Sequence, residues 1–340
     1  TCTGRNFPYI LNMNNESYAT AGVHLEAAQD ITETIKALAA PTLGDDVIGG
    51  VGFFGAMYGL QGYKTPIIVS STDSVGTKVK IANLMNRYDT IGIDLVNHCV
   101  NDIFTCGARP LFFLDYIAMS TLEEGKVTGL VKGVADACMS TGCALIGGET
   151  AELPGVYPDG EFDLVGFIVG AMEKENIINS STIKPGDLLL GIGSSGIHTN
   201  GYSLIRKVFN LDNDSTALST VYPELSMPLG EVLLEPHRCY YPLLEPVLSL
   251  IKGMAHITGG GLIENVPRVL PKNLGASFDT SSWKNLPIFE LIERIGKIER
   301  QEMFRVFNMG LGMVLVSSPE NVEAIIKLVP EATVVGSVIP

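Results

Sequence analysis

Ile146 to Tyr157 reads IGGETAELPGVY, entered from the apolar run Ala144-Leu145-Ile146. The pattern predicts a strand that stops at two glycines. Gly147 and Gly148 let a backbone turn away at angles that a Cβ forbids. Glu149 and Glu152 then fall at the strand's end, on a loop pinned by Pro154-Gly155. Loops held by a rigid scaffold are where function concentrates. An ordinary acidic surface turn is the plain alternative, and the rest of the chain has to decide between the two.

Outward from this stretch, apolar runs alternate with helical patterns. Ile67–Ser71, Leu111–Ile117 and Asp163–Met172 read as strands, with Asp115 a polar interruption. Helices fit Gly22–Leu38, Thr90–Cys106 ending at Gly107, and Leu122–Thr141 stopped by Gly142. The alternation is irregular, which predicts α+β rather than a doubly wound sheet. The character changes at Glu173-Lys174-Glu175-Asn176, placing a domain boundary near Met172. Beyond it, strands fit Asp187–Ile192, Met254–Ile257, Ala276–Phe278, Met313–Val316 and Thr333–Val338. Helices fit Tyr202–Phe209, Leu229–Cys239 and Leu243–Ile251.

With 340 residues, 46% of them hydrophobic, the chain can bury two cores. A net charge of −14 disfavours a general nucleic-acid binder. No apolar run is long enough to span a bilayer, and the first residues lack the pattern of a signal peptide. Six cysteines without a C-x-x-C read as reduced thiols of a cytoplasmic protein.

Several short stretches carry chemistry. GGVGFFGA, Gly49–Ala56, holds G-x-G-x-x-G as Gly50, Gly52 and Gly55, outside a strand-to-helix turn. An anion-wrapping loop fits it better than a dinucleotide turn. Thr72–Lys78 puts Asp73, Thr77 and Lys78 just after a strand, where an acid can hold a divalent ion and a lysine can neutralise phosphate. A polar turn is the alternative. Asp94, Asn97, His98, Asn101 and Asp102 form a stripe on one helix, free of lysine and glutamate, which points to a cation-facing surface. His98 taken alone reads as a packed or solvent-facing histidine rather than a ligand. GIGSSGIHTNG, Gly191–Gly201, offers Ser194, Ser195, His198 and Asn200 as a small-molecule grip. Thr258-Gly259-Gly260-Gly261 opens onto a helix N-terminus suited to an anion. Lys36, near a helix end, has a plain account as a cation complementing the helix dipole.

SSTDSVGTK (Ser70–Lys78), NDIFTCGARPLFFLDY (Asn101–Tyr116), GGETAELPGVY (Gly147–Tyr157), GSSGIHTNGYSLIRK (Gly193–Lys207) and TGGGLIENVPRVLP (Thr258–Pro271) occur in one order. Together they closely resemble the phosphoribosylformylglycinamidine cyclo-ligase (AIR synthetase) family, from about Ser17 to the C-terminus. Ser74 departs from the family's more usual glycine. Residues 1–16 match nothing and read as an N-terminal extension.

The resemblance implies a PurM-like α+β architecture. Residues 17–172 would be an ATP-binding and dimerisation domain, and residues 173–340 a mixed α/β substrate-binding domain. In a homodimer, two N-terminal sheets would pair into a barrel-like core. It implies ring closure of formylglycinamidine ribonucleotide with ATP and Mg²⁺ to aminoimidazole ribonucleotide, ADP and phosphate. Asp73, Asp102 and Glu149 would hold Mg²⁺. Lys36, Lys78, Thr77 and the backbone at Gly49, Gly50, Gly52 and Gly55 would face the phosphates. Ser194, Ser195, His198, Asn200, Gly259 and Gly260 would grip the other substrate, and His198, Lys36 and Lys78 would take part in catalysis. No nucleic acid or membrane enters this reading. Selenophosphate synthetase and thiamine-monophosphate kinase, of the same ATP-using superfamily, are its nearest rivals.

Overall fold

The computed structural model describes residues 25–52 and 54–340. The expected 1–16 extension and the expected helix start at Gly22 lie outside the described residues.

The N-terminal half begins with α1 (Leu25–Ala39) and a two-strand ribbon, β1 (Val47–Ile48) with β2 (Met57–Tyr58). There follow β3 (Pro66–Ser74), α2 (Lys78–Met85), α3 (Asp89–Phe104), β4 (Arg109–Met119), α4 (Glu124–Thr141), β5 (Ala144–Glu152) and β6 (Phe162–Glu173). The sheet runs β3-β6-β4-β5. Only β4 and β5 are parallel, joined through α4; the other pairs are antiparallel. That mixture is the irregular α+β pattern expected.

Helices α3 and α4 lie together on one face of the sheet. Their backbones touch because two glycines face across: a Cβ on Gly133 would stand 2.1 Å from the Asp89 carbonyl, and one on Gly92 2.2 Å from the Leu130 carbonyl. Leu95, Val100 and Ile103 from α3 pack with Phe113, Ile117, Leu164 and Ile168 from the strands. The opposite face keeps Ile68 and Phe167 exposed. At the end of α3, Gly107 takes φ +92° and its N–H reaches the Phe104 carbonyl at 2.8 Å, as a terminating glycine does.

In the C-terminal half, the order is β7 (Leu188–Gly193), α5 (Tyr202–Val208), α6 (Leu229–Leu233), α7 (Tyr241–Leu244), β8 (Gly253–His256), α8 (Gly261–Asn265), β9 (Gly275–Phe278), α9 (Pro287–Gly296), α10 (Arg300–Val306), β10 (Leu311–Ser317), α11 (Val322–Leu328) and β11 (Thr333–Ile339). Its sheet, β8-β10-β7-β11-β9, is antiparallel throughout. Alternation along β10 sends Met313 and Leu315 to one apolar cluster and Val314 and Val316 to the other.

Three local expectations change. Strand β5 does not stop at Gly147-Gly148 but runs through to Glu152, pairing Gly148 with Asp115 of β4. The glycine is needed there because a Cβ would sit 2.0 Å from Asp115 Oδ1. The helix expected over Leu229–Cys239 ends at Leu233. The chain beyond it lies extended against α3, so tertiary hydrogen bonds replace helical ones. Here the polar stripe finds its use: Asp94 Oδ1 accepts the His237 N–H at 2.7 Å, Asn97 Nδ2 donates to the His237 carbonyl at 2.7 Å, and Asn101 brackets residues 238–240 with two bonds of 2.8 Å. Most of the stripe clamps backbone rather than lining a site for a metal ion.

Candidate active site

That clamp brings the two halves together along α3. Asp73 lies near the end of β3, His98 and Asp102 one turn apart on α3, and His256 at the end of β8. His98 Nε2 donates to Asp73 Oδ2 at 2.8 Å and stands 3.7 Å from Asp102 Oδ2. His256 Nδ1 meets Asp102 Oδ1 at 2.8 Å. These groups line a cavity of about 460 Å³, together with Ser70, Ser71, Thr258, Asn265 and Arg268.

Electrostatics separates these groups by role. Burial raises a carboxyl, but at Asp73 the bond and charge of His98 outweigh it and hold the group below its usual range. At Asp102, His256 does the same against burial. Burial depresses His98, and the two aspartates overcome it and raise the imidazole. Both carboxylates are thus ionised at neutral pH and open to the cavity. Hard oxygen donors of this kind suit Mg²⁺, so Asp73 and Asp102 fit that ion.

Behind this wall the polar chain continues. His98 Nδ1 meets Thr199 Oγ1 at 2.9 Å, His237 Nε2 meets His256 Nε2 at 2.9 Å, and His198 stacks on His237 with ring centroids 3.9 Å apart. His198 is held in the left-handed region at φ +67°, which is uncommon for a residue with a Cβ. Burial holds His198 and His237 well below the ordinary histidine range.

Of the expected residues, Asp73 and Asp102 come together, with His198 just behind them. Asn200 faces the Gly259 turn: a Cβ on Gly259 would lie 3.1 Å from Asn200 Oδ1. Gly260, at φ +94°, precedes α8. Ser194 Oγ donates to Asn308 and Ser195 Oγ to the Pro236 carbonyl, both within their own half. Thr77 Oγ1 lies 3.0 Å from Ser203 Oγ.

Lys78 is placed differently from the phosphate-facing expectation. It is fully buried, 2.8 Å from Asp94, and donates to the Glu235 carbonyl. Burial pushes Asp94 up to about 6 against the pull of Lys78, and pushes Lys78 down against Asp94. Glu149 does not join Asp73, since β5 and β3 are opposite edges of one sheet. It lines instead a second cavity, about 320 Å³, with Lys36, Gly52 and Thr150. Lys36 there pairs with Glu33 at 2.8 Å, and a Cβ on Gly52 would touch its Cε. Gly49 and Gly50 of the same loop take positive φ. Gly55 needs no such conformation.

Sequence reasoning undervalued His98 and missed Thr199, His237 and His256. The chain has five histidines, and four of them converge here. The scarcity of histidine, with His98, His198 and His256 close to or within the quoted motifs, was the available signal.

Models of AIR synthase related proteins match residues 56–172 (N-terminal domain) and 184–340 (C-terminal domain). A phosphoribosylformylglycinamidine cyclo-ligase of Thermoanaerobacter pseudethanolicus is 49% identical over 328 residues, covering 95% of this chain and 97% of that protein. The chain belongs to the phosphoribosylformylglycinamidine cyclo-ligase family. A Geobacillus kaustophilus cyclo-ligase is also 49% identical, covering 95% of each chain. In fold the chain is similar to a thiamine-monophosphate kinase of Stenotrophomonas maltophilia, with TM-score 0.68, 16% identity, and 90% and 92% of the two chains covered.

Proposed function

We propose that this cyclo-ligase family chain closes the imidazole ring of formylglycinamidine ribonucleotide at the junction of its two halves, turning ATP into ADP and phosphate. The observation that carries the reading is the ionised pair Asp73 and Asp102 facing a cavity between domains. Around it stand the histidines and the Asn200–Gly259 turn of the second half. The names of relatives near half-identical over nearly the whole chain support the same activity.

The formyl amide oxygen attacks the γ-phosphorus, and ADP leaves. An amidine nitrogen then attacks the imidate carbon, the C–O bond breaks, and phosphate departs with the formyl oxygen while one proton is lost. Such chemistry asks chiefly for positioning and charge neutralisation. Asp73 and Asp102 would hold Mg²⁺, which supplies charge neutralisation on the triphosphate. At the other sheet edge Lys36 and the Gly49–Gly55 backbone N–H groups are the candidates for phosphate oxygens, and Glu149 beside them is a candidate ligand for Mg²⁺ there. Thr77 belongs to the same phosphate-binding expectation. His198, neutral and buried behind His237 and His256, is the candidate to orient an oxygen or take the proton, and Ser194, Ser195, Asn200, Gly259 and Gly260 are the candidates to grip the ribonucleotide. Lys78 acts through Asp94, fixing the His237 amide, and so is a positioning residue.

The division near Met172 would leave the phosphate loop and the Asp73–Asp102 pair in the first half and His198, Asn200 and Gly259 in the second. Outward Ile68 and Phe167 support pairing of two N-terminal sheets in a homodimer. Among the described residues, no helix is long and apolar enough to cross a membrane. The cysteine usage supports a cytoplasmic setting. Purified protein with ATP, Mg²⁺ and formylglycinamidine ribonucleotide is expected to give ADP and aminoimidazole ribonucleotide in equal amounts. ADP without the aminoimidazole, or phosphorylation of thiamine monophosphate or selenide instead, would reject the reading.

A further inference from the structure

His198, His237 and His256 come from three separate segments of the C-terminal half, and all three are buried. One ring nitrogen of each lies within 4.8 Å of the others. His256 directs Nδ1 at Asp102, which leaves its Nε2 toward His237 Nε2 at 2.9 Å. In a tetrahedral site with metal–nitrogen bonds of about 2.0–2.1 Å, two imidazole nitrogens stand roughly 3.3 Å apart. These two therefore need only a slight opening. His198 carries the second observation. Its Nδ1 is buried without a partner, and its Nε2 receives only a 3.3 Å contact from the Ser195 N–H. A buried polar nitrogen left unpaired is costly, and here the backbone is also held at positive φ.

We propose that His198, His237 and His256 form a nitrogen-only site for a borderline divalent transition-metal ion of the zinc class, separate from the oxygen donors of Asp73 and Asp102. Three neutral imidazoles suit such an ion, whereas Mg²⁺ calls for oxygen. Asp102 accepts from His256 Nδ1 and so holds that ligand from outside, in the carboxylate–histidine–metal arrangement. Thr199 Oγ1, 3.5 Å from His237 Nδ1, stands in the corresponding place for the second ligand. His198 has to swing out of its 3.9 Å stack on His237 to complete the set. A bound ion ties the 194–201 loop, the 235–240 segment and β8 together. It also occupies the His198 lone pair, so zinc-class ions antagonise whatever that imidazole does in turnover.

The test uses the full chain, stripped with a chelator and free of nucleotide, dialysed against Zn²⁺ or Co²⁺ at graded concentrations with Mg²⁺ in excess. Bound metal is counted, and visible absorption of the Co²⁺ form reports its coordination. One ion per chain is expected, not displaced by Mg²⁺. Binding should weaken by more than about 100-fold in His237→Ala, weaken by about 10–100-fold in Asp102→Asn, and stay unchanged in Asp73→Asn. His198→Ala, which removes an unpartnered nitrogen, replaces His237→Ala if the latter's melting curve shows it unfolded. No bound ion, unchanged affinity in the histidine variants, or loss in Asp73→Asn overturns the proposal. No ATP or ribonucleotide is present, so this result stands apart from the outcome of the ring-closure assay.

Discussion

The two edges of the four-stranded sheet carry acids in opposite conditions. At the β3 edge, Asp73 and Asp102 are each met by an imidazole at 2.8 Å. At the β5 edge, Glu149 is exposed and Lys36 only half-buried, its partner an exposed glutamate on its own helix. The first region is fixed by the fold before any ligand arrives, because α3 clamps the second half through Asp94, Asn97 and Asn101. The second region rests on a glycine loop and the side of α1, and Lys36 there is free to exchange Glu33 for an anion. A chain that must bind a large polyanion and then hold a small reacting group still needs both kinds of surface.

The largest expected effect is at the fixed edge. Asp102→Asn should lower kcat/KM by about 10³-fold, the scale for removing a preorganised electrostatic group, with circular dichroism unchanged. Retained activity would move the reacting centre away from α3. Next comes the clamp. Lys78→Met leaves Asp94 buried without its cation, and breaking such a pair costs about 3–5 kcal/mol. Urea unfolding measures this, and a loss below about 1 kcal/mol would mean that Lys78 does not hold the junction.

These two positions show what the sequence could and could not disclose. The α+β class, the long α3 and the Asp73 and Asp102 motifs were legible because periodicity and glycine punctuation are local. Lys78 was misplaced because a lysine after a strand looks the same whether it faces phosphate or a buried aspartate 16 residues on. Residues 234–239 read as helix because their pairing with α3 spans about 140 residues of chain. His256 and His237 carried no local pattern, since their meaning lies only in meeting His98 and His198. Glu149 lies inside β5 rather than on a loop after it, at the far edge of the sheet from Asp73, because the true strand end and the strand order are what the motif could not give.

Smaller effects sharpen the β5 side of the comparison. Lys36→Met should raise KM for ATP by about tenfold while kcat is kept, as for loss of uniform binding. A fall in kcat with KM unchanged would give this lysine the role of a reacting-centre group instead. Beneath Gly148, burial pushes Asp115 up to about 7. Its folded form therefore holds a proton that the unfolded chain releases near pH 4. Stability should fall as pH rises between about 4 and 7, by about 1.4 kcal/mol per unit from this group. Asp115→Asn should flatten that slope in denaturant titrations, and an unaltered slope would mean that Asp115 is ionised in the folded protein.

Oxygen transfer tests the ring-closing chemistry at the junction most directly. Formylglycinamidine ribonucleotide labelled with heavy oxygen in its formyl group is turned over with ATP and Mg²⁺, and the phosphate is weighed by mass spectrometry. Formyl-oxygen attack on the γ-phosphorus, followed by C–O cleavage, predicts one labelled oxygen in every phosphate released and none in ADP. Unlabelled phosphate accompanying aminoimidazole formation would contradict the account.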